Sequence, residues 1–439
     1  MVQRIRSWGH NLRDGLWFVP ALMTSVAVVL ALLLVRVDQR LLLDRRAEAM
    51  WLFGGGAEGA RGVLTAISST MITVTGVVFS ITIVALQLAS SQFTPRVLRS
   101  FTGDRGNQIV LGAFISTFTF ALLVLRAVRS ATEDGQTFVP SVSVTMAIAL
   151  TLASIGLLIY YIHHAARSIQ AAVVIDRAAN DALGVIDGLF PADVGHPVDP
   201  AAEFPLLTAP GTPVRSVGSG YVQAINADSL FDLADRDQLV VRLEPRIGEF
   251  VLPGELLATV WPAAAGDDCH DAIRDGVVLG SERTMQNDLE LGIRQLSDIA
   301  LKALSPGIND PTTAELCIDR LGEALVRLAH RARPREVRSG KDGAVHLMLQ
   351  GPSFERLVGV AFAQIRHYGA GDATVMEYLV ATLGRVASLA PPAHHEPLAH
   401  QARLVLAGAR EQITLEADAE RVVAAGDWTR SRVAGSGRG

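Results

Sequence analysis

The sequence predicts an α-helical membrane domain with four transmembrane helices, joined to a cytosolic α+β region. Three observations predict it. Four apolar stretches without Asp, Glu, Lys or Arg precede Arg167. A segment near the middle of the chain alternates apolar and polar residues with a period of two. Apolar residues at helical spacing fill the C-terminal part. The chain has 439 residues, 49% of them hydrophobic, and a mean hydropathy of +0.31. The apolar excess sits before Arg167, and the remainder reads like an ordinary cytosolic domain.

A helix crossing the hydrocarbon core needs about 20 mostly apolar residues. Leu16–Val35, a run within Gly62–Pro95, Gln108–Leu125 and Val139–Ile162 meet that requirement. A charge at a span's centre costs about 2.5–3.5 kcal/mol on insertion scales. Buried helices of soluble proteins seldom stay charge-free for so long. No small-residue cleavage site follows the first run before Arg36, so no cleavable signal peptide is expected. Arginines flank the spans on both sides: Arg4, Arg6, Arg13, Arg96, Arg99, Arg105 and Arg167 against Arg36, Arg40, Arg45, Arg46, Arg61, Arg126 and Arg129. Charge bias therefore does not set the orientation. An even number of spans and a large C-terminal domain place both termini in the cytoplasm. Two cysteines in the whole chain, Cys269 and Cys317, fit a reducing compartment.

The second span is long. No charge occurs between Arg61 and Arg96, a run of about 50 Å as one helix against a core of about 30 Å. Part of it is expected to project, tilt or bend. Ser69, Thr73, Gly76, Ser80, Gln87, Ser90 and Thr94 share one stripe, interrupted by Ile83. Two readings stand. Small and hydroxyl residues pack helices closely, or they line a water-filled path. Gly112, Ser116 and Thr119 of the third span repeat the spacing and are expected to face the second. No Asp, Glu or His lies in mid-membrane, which favours passive conduction over an active transporter's proton relay. Pro95 ends or kinks the second helix. Arg96 and Arg99 follow among Phe93, Val97, Leu98 and Phe101, a pattern for headgroup anchoring or a cationic cytoplasmic mouth.

Residues 1–165 thus form the membrane domain and 166–213 a connecting helix with a Pro-rich linker, Pro191–Pro213 holding six prolines. Tyr160, Tyr161, His163 and His164 mark the interface, the histidines as interfacial tips. Residues 214–265 form a small β domain, with strands at Gly220–Ile225 and Gln238–Glu244. The string from Gly248 to Leu257 is similar to half of a biotinyl/lipoyl-type sandwich hybrid. The unit contains no lysine, so no attached cofactor is expected. Residues 266–432 are predicted as a helical bundle and 433–439 as a disordered tail. Its apolar stripes are Leu289–Ala303, Ala314–Leu328, Phe354–Ile365, Met376–Val386 and Val405–Ile413. Between the first two, Pro306 and Gly307 turn the chain, Asn309 follows, and Asp310 caps a helix with Pro311 at its first position. Asn309 and Asp310 as ligands for a cation or small molecule is the competing reading.

Net charge is −5, without the clustered cations of a nucleic-acid footprint. The sequence shows no phosphate-binding glycine motif, zinc-protease motif or paired-cysteine metal site. No enzyme activity is expected. Asp267-Asp268-Cys269-His270-Asp271 is the densest group of potential ligands and reads as a solvated loop.

Two long strings, VFSITIVALQLASSQFTPRVLRSFTGDRGNQ and RTMQNDLELGIRQLSDIALKALSPGINDPTTAELCIDRL, resemble the hallmarks of a bacterial predicted membrane protein family, domain of unknown function 2254. The resemblance spans nearly the whole chain. Gly307 departs from it, standing where many relatives carry Ala. The resemblance implies a bacterial inner membrane, four spans and a cytosolic C-terminal domain, and it implies no catalytic residues. The expected function is a homo-oligomeric passive channel for inorganic ions, its pore along the second span. The alternative is a membrane-anchored sensor or scaffold.

Overall fold

Uncharged apolar runs satisfy their backbone polar groups internally by forming helices, and four such helices occupy the first half of the chain. They are α1 (Phe18–Asp44), α2 (Ala57–Gln92), α3 (Arg105–Ala127) and α4 (Ser141–Ser168), each long and apolar enough to cross a membrane. The computed structural model describes residues 17–44, 52–92, 104–129, 138–168, 170–189, 210–262, 266–285, 287–331, 337–339 and 345–429. Arg96, Arg99, most of the Pro-rich linker and the 433–439 tail lie outside the described residues. The chain divides into two units, Met1–Val174 and Ile175–Gly439.

In the first unit α3 packs against all three neighbours, with Val110, Phe114, Phe120, Ala121 and Val124 buried. The outer faces carry exposed Leu22, Val26, Val29, Ile72, Val77, Phe79, Leu152, Ile155 and Ile159. Such faces suit hydrocarbon rather than water. The long second span is one unbroken helix of 36 residues, about 54 Å at 1.5 Å per residue.

In the second unit, α5 (Ala171–Leu189) is followed by β1 (Thr212–Arg215), β2 (Gly220–Ile225), α6 (Ala227–Arg236), β3 (Val240–Leu243), β4 (Phe250–Val251) and β5 (Leu256–Trp261). Next come α7 (Asp267–Gly276), β6 (Val277–Gly280), α8 (Leu289–Ala303), α9 (Pro311–Ala329), β7 (Val337–Ser339) and β8 (Val345–Met348). The chain closes with α10 (Phe354–Gly369), α11 (Ala373–Leu389), α12 (His395–Gln412) and α13 (Glu416–Ala425). A five-stranded sheet has the order β1-β5-β3-β8-β7 and a three-stranded sheet the order β4-β2-β6. Val214, Val222, Val241, Leu257, Val260 and Leu347 build their shared core with Leu230 of α6 and Ile273 of α7.

Four elements differ from the sequence reading. Strands β6, β7 and β8 arise where only helices were expected. β8 is a short partner that pairs in parallel with β3, Val241 opposite Leu347, too brief for its alternation to stand out. Asp267–Gly276 is a helix and not a loop, because Cys269 and Ile273 fall on one face and are buried against the sheet. Beyond the fourth span the chain continues as a second helix, α5, one of the two forms expected of the connector. The five predicted apolar stripes are buried from Leu289 to Ala409. Ile413, their last member, lies just past the end of α12.

Candidate functional site

Hydrogen bonds set the height of each membrane helix against the others. At one end, Asp38 of α1 is buried, and its carboxylate accepts from the Val142 and Ser143 amides at 2.9 and 3.0 Å and from the Ser143 hydroxyl at 2.6 Å. It caps the N-terminus of α4 from a different helix, where the positive end of the dipole favours an anion. Arg61 of α2 donates to the Val128 carbonyl at 3.2 Å just past the end of α3. At the other end, Asp104 caps α3 through the Gly106 amide at 2.8 Å and lies 3.0 Å from His164 Nε2 of α4. The His164 ring stacks on Tyr160 with centroids 5.4 Å apart. One turn inward, the hydroxyls of Tyr161 and Thr82 are 2.8 Å apart, and Tyr161 also donates to the Val78 carbonyl. Between the two ends, Thr117 and Ser154 share a buried hydrogen bond of 3.1 Å.

These ties calibrate α2. Its segment between Arg61 and Thr82 runs alongside α3 and α4. The rest, to Gln92, continues past the level of Tyr161 in the same unbroken helix. Gln87 lies about 8 Å beyond Thr82 at 1.5 Å per residue, near the level of the Asp104–His164 pair.

The stripe itself faces outward. Ala60, Leu64, Ile67, Met71 and Val78 form the buried face of α2, whereas Ser69, Thr73, Gly76, Ser80 and Gln87 are all exposed on the protomer. A Cβ on Gly62 or Gly76 would meet nothing within 4 Å. Nothing in the protomer therefore requires a glycine at either place, although glycine costs about 1 kcal/mol against alanine in a helix. Ser69 and Thr73 return their hydroxyls to the Thr65 and Ser69 carbonyls at 2.9 and 2.8 Å, which lowers the cost of contact with lipid.

The third-span residues divide. Gly112 faces α1 and not α2: a Cβ there would lie 2.6 Å from Met23 Sδ and 3.2 Å from Pro20 Cα. Ser116 and Thr119 are half-buried, and their hydroxyls bond the Ala113 and Ile115 carbonyls of their own helix.

In the second unit, Pro306, Gly307 and Asn309 form an exposed turn closed by the Ile308 and Asn309 amides on the Ser305 carbonyl. Asn309 adopts φ +49°, a left-handed conformation that asparagine tolerates. Asp310 accepts from the Thr313 amide at 3.1 Å and its hydroxyl at 2.6 Å, with Pro311 opening α9. Its carboxylate is thus engaged by the helix it caps. Within the Asp267–Asp271 group, Cys269 turns inward and Asp271 pairs with Arg274 at 2.6 Å. Among the described residues no group of three or more His, Cys, Asp or Glu is placed to hold a metal ion.

Sequence reading missed the ties that matter most to the packing. Asp38 falls just beyond the first uncharged run, and its partners lie over a hundred residues away. Asp104 was legible in principle as an N-cap, since it precedes a new apolar run. The Arg283–Asp288 pair, bidentate at 2.7 and 2.8 Å, was not. It sits under Gly248, whose φ is +87°; a Cβ there would collide with Asp288 Oδ2.

Four long apolar helices with polar ties at both ends, attached to an α+β region, define a multi-span predicted membrane protein. The chain matches the family model described as "Predicted membrane protein (DUF2254)" over residues 13–385. It is also 36% identical over 441 aligned positions to an uncharacterized protein of Mycobacterium bovis and to uncharacterized proteins of two Mycobacterium tuberculosis strains. Each alignment covers 97% of this chain and 82% of the relative. The chain belongs to the DUF2254 family. No solved structure matches it.

Proposed function

We propose that the chain forms a homo-oligomeric passive ion channel in a bacterial inner membrane, with both termini cytoplasmic, and that it is not an enzyme. The second unit, with its helices as a bundle, assembles or gates the pore. One observation carries the reading: the hydroxyl and glycine stripe of α2 is exposed on the protomer, with open space over Gly62 and Gly76. Facing lipid alone, such a stripe gains nothing over alanine and leucine. Facing a second copy or a column of water, it allows close helix approach or wets the wall. Inorganic ions are the fitting cargo, since no acid, base or aromatic lies on the mid-membrane part of the stripe.

The experiment is conductance of the purified full-length protein in planar bilayers. Ion currents are expected, and Ser80→Leu, which makes the wall apolar, should reduce them at least severalfold. Folded, membrane-inserted protein that stays silent at both voltage polarities would overturn the proposal.

A second reading, a membrane-anchored sensor or scaffold without transport, draws support from Ser69 and Thr73 bonding their own backbone carbonyls. That arrangement makes contact with lipid tolerable. Wild-type function retained by Ser69→Leu with Ser80→Leu, but lost on altering the second unit, would favour it.

A further inference from the structure

Of the 36 residues of α2, only Glu58 and Arg61 are charged, and they are placed differently. Counting back from Ser69 by four, three and four residues reaches Thr65, Gly62 and Glu58, and steps of that size keep to one side of a helix. Thr65, Gly62 and Glu58 are exposed on the protomer, as Ser69 is. Glu58 therefore stands on the outward line itself, about 16 Å before Ser69 at 1.5 Å per residue. Arg61 is half-buried, and its guanidinium is drawn to the Val128 carbonyl just past the end of α3. The exposed Arg36 and Arg40 of α1 and Arg126 of α3 stand on other helices. Toward the opposite end of the stripe, Arg96 and Arg99 follow Pro95 in the sequence. Even on a continued helix they would fall about a half and a third of a turn away from the line.

The wall beyond Glu58 has a sign as well. The Ser69 and Thr73 hydroxyls give their hydrogens to the Thr65 and Ser69 carbonyls. A hydroxyl that has donated to its own backbone turns only lone pairs outward. Oxygen lone pairs can replace the water around a cation. An anion needs N–H or O–H donors, and these two groups have none left. We propose that the path along α2 passes cations in preference to anions, with Glu58, repeated once per copy, fixing the sign at its mouth. Such selectivity presupposes the conduction reading and adds to it the class of ion. Carboxylates around a narrow mouth gather cations and repel anions.

The test is the reversal potential of full-length protein in planar bilayers under a KCl gradient. Potassium should permeate at least tenfold better than chloride. Glu58→Gln should lower that ratio at least threefold, Glu58→Lys should lower it further, and Glu58→Asp should keep it. A carboxylate in a first turn also favours the helix dipole, and a role confined to that would leave the ratio unchanged in Glu58→Gln. The wild-type protein supplies a check without substitution. Its preference should shrink at least twofold between 0.1 and 1 M salt, as the Debye length falls from about 10 to 3 Å. A preference for chloride, or a ratio unchanged by Glu58→Gln or by salt, overturns the assignment and leaves conduction standing. No current from folded, inserted protein overturns conduction itself, and the selectivity with it.

Discussion

A carboxylate at the end of a membrane helix is costly unless its oxygens are engaged, and Asp38 engages both on the start of a neighbouring helix. Asp38→Ala leaves the first turn of α4 without that acceptor. A loss of about 2 kcal/mol is expected, read as a lower thermal midpoint of the detergent-solubilised protein, with Asp38→Asn intermediate. An unchanged midpoint would show that water replaces the carboxylate without cost. In the second unit the titrating groups give a pH window. Burial pushes the Cys317 thiol well above its ordinary range, and burial likewise raises Cys269. A thiol raised in the fold contributes stability that is complete below the unfolded value of about 8.5 and falls as pH climbs above it. Glu290 is pushed up by burial but held lower on balance by the Arg356 guanidinium at 2.8 Å. A depressed carboxylate contributes stability present above about pH 4.3 and lost as pH falls. Denaturation of the full chain should therefore show the second unit's stability flat between about pH 5 and 8 and falling on either side. Both thiols should also react slowly with maleimide at neutral pH, and fast stoichiometric labelling would contradict their burial.

Among the elements, long uniform helices were legible and short strands were not. An uncharged run declares a span by composition alone, and stripes such as Leu289, Ile293, Leu296 and Ala300 declare a buried face by spacing. The cap at Asp310 was legible for the same reason: Asp-Pro before a periodic run has a local meaning. Asp310→Ala should cost about 1 kcal/mol, visible as earlier urea unfolding of the second unit. No shift would show that the Pro306–Asn309 turn holds α9 without it. By contrast, β6 and β8 take their identity from partners distant in the chain, and β7 from its pairing with β8. Four residues cannot express a period on their own. The α2 stripe is an intermediate case. Its spacing was visible, but whether it faced inward or outward depended on where α3 and α4 pack, which only the assembled unit reveals. Gly112 shows the same limit, turning to α1 although its spacing matched α2.

For the whole molecule, the account is of four spans tied at both ends, one overlong helix offering a hydroxyl and glycine face, and an α+β unit that includes the connecting helix. Its central claim is that the α2 face at Ser69, Thr73, Gly76 and Ser80 lines a water-filled path and does not meet lipid. Cysteine accessibility in proteoliposomes addresses that claim directly. Single cysteines at positions 69, 73, 76 and 80, and at the apolar positions 72, 77 and 84, are exposed in a Cys269→Ala, Cys317→Ala background to a charged, membrane-impermeant thiosulfonate. The channel account predicts modification at the first four positions, at least tenfold faster than at the other three. Equal and negligible reaction at all seven positions would contradict it.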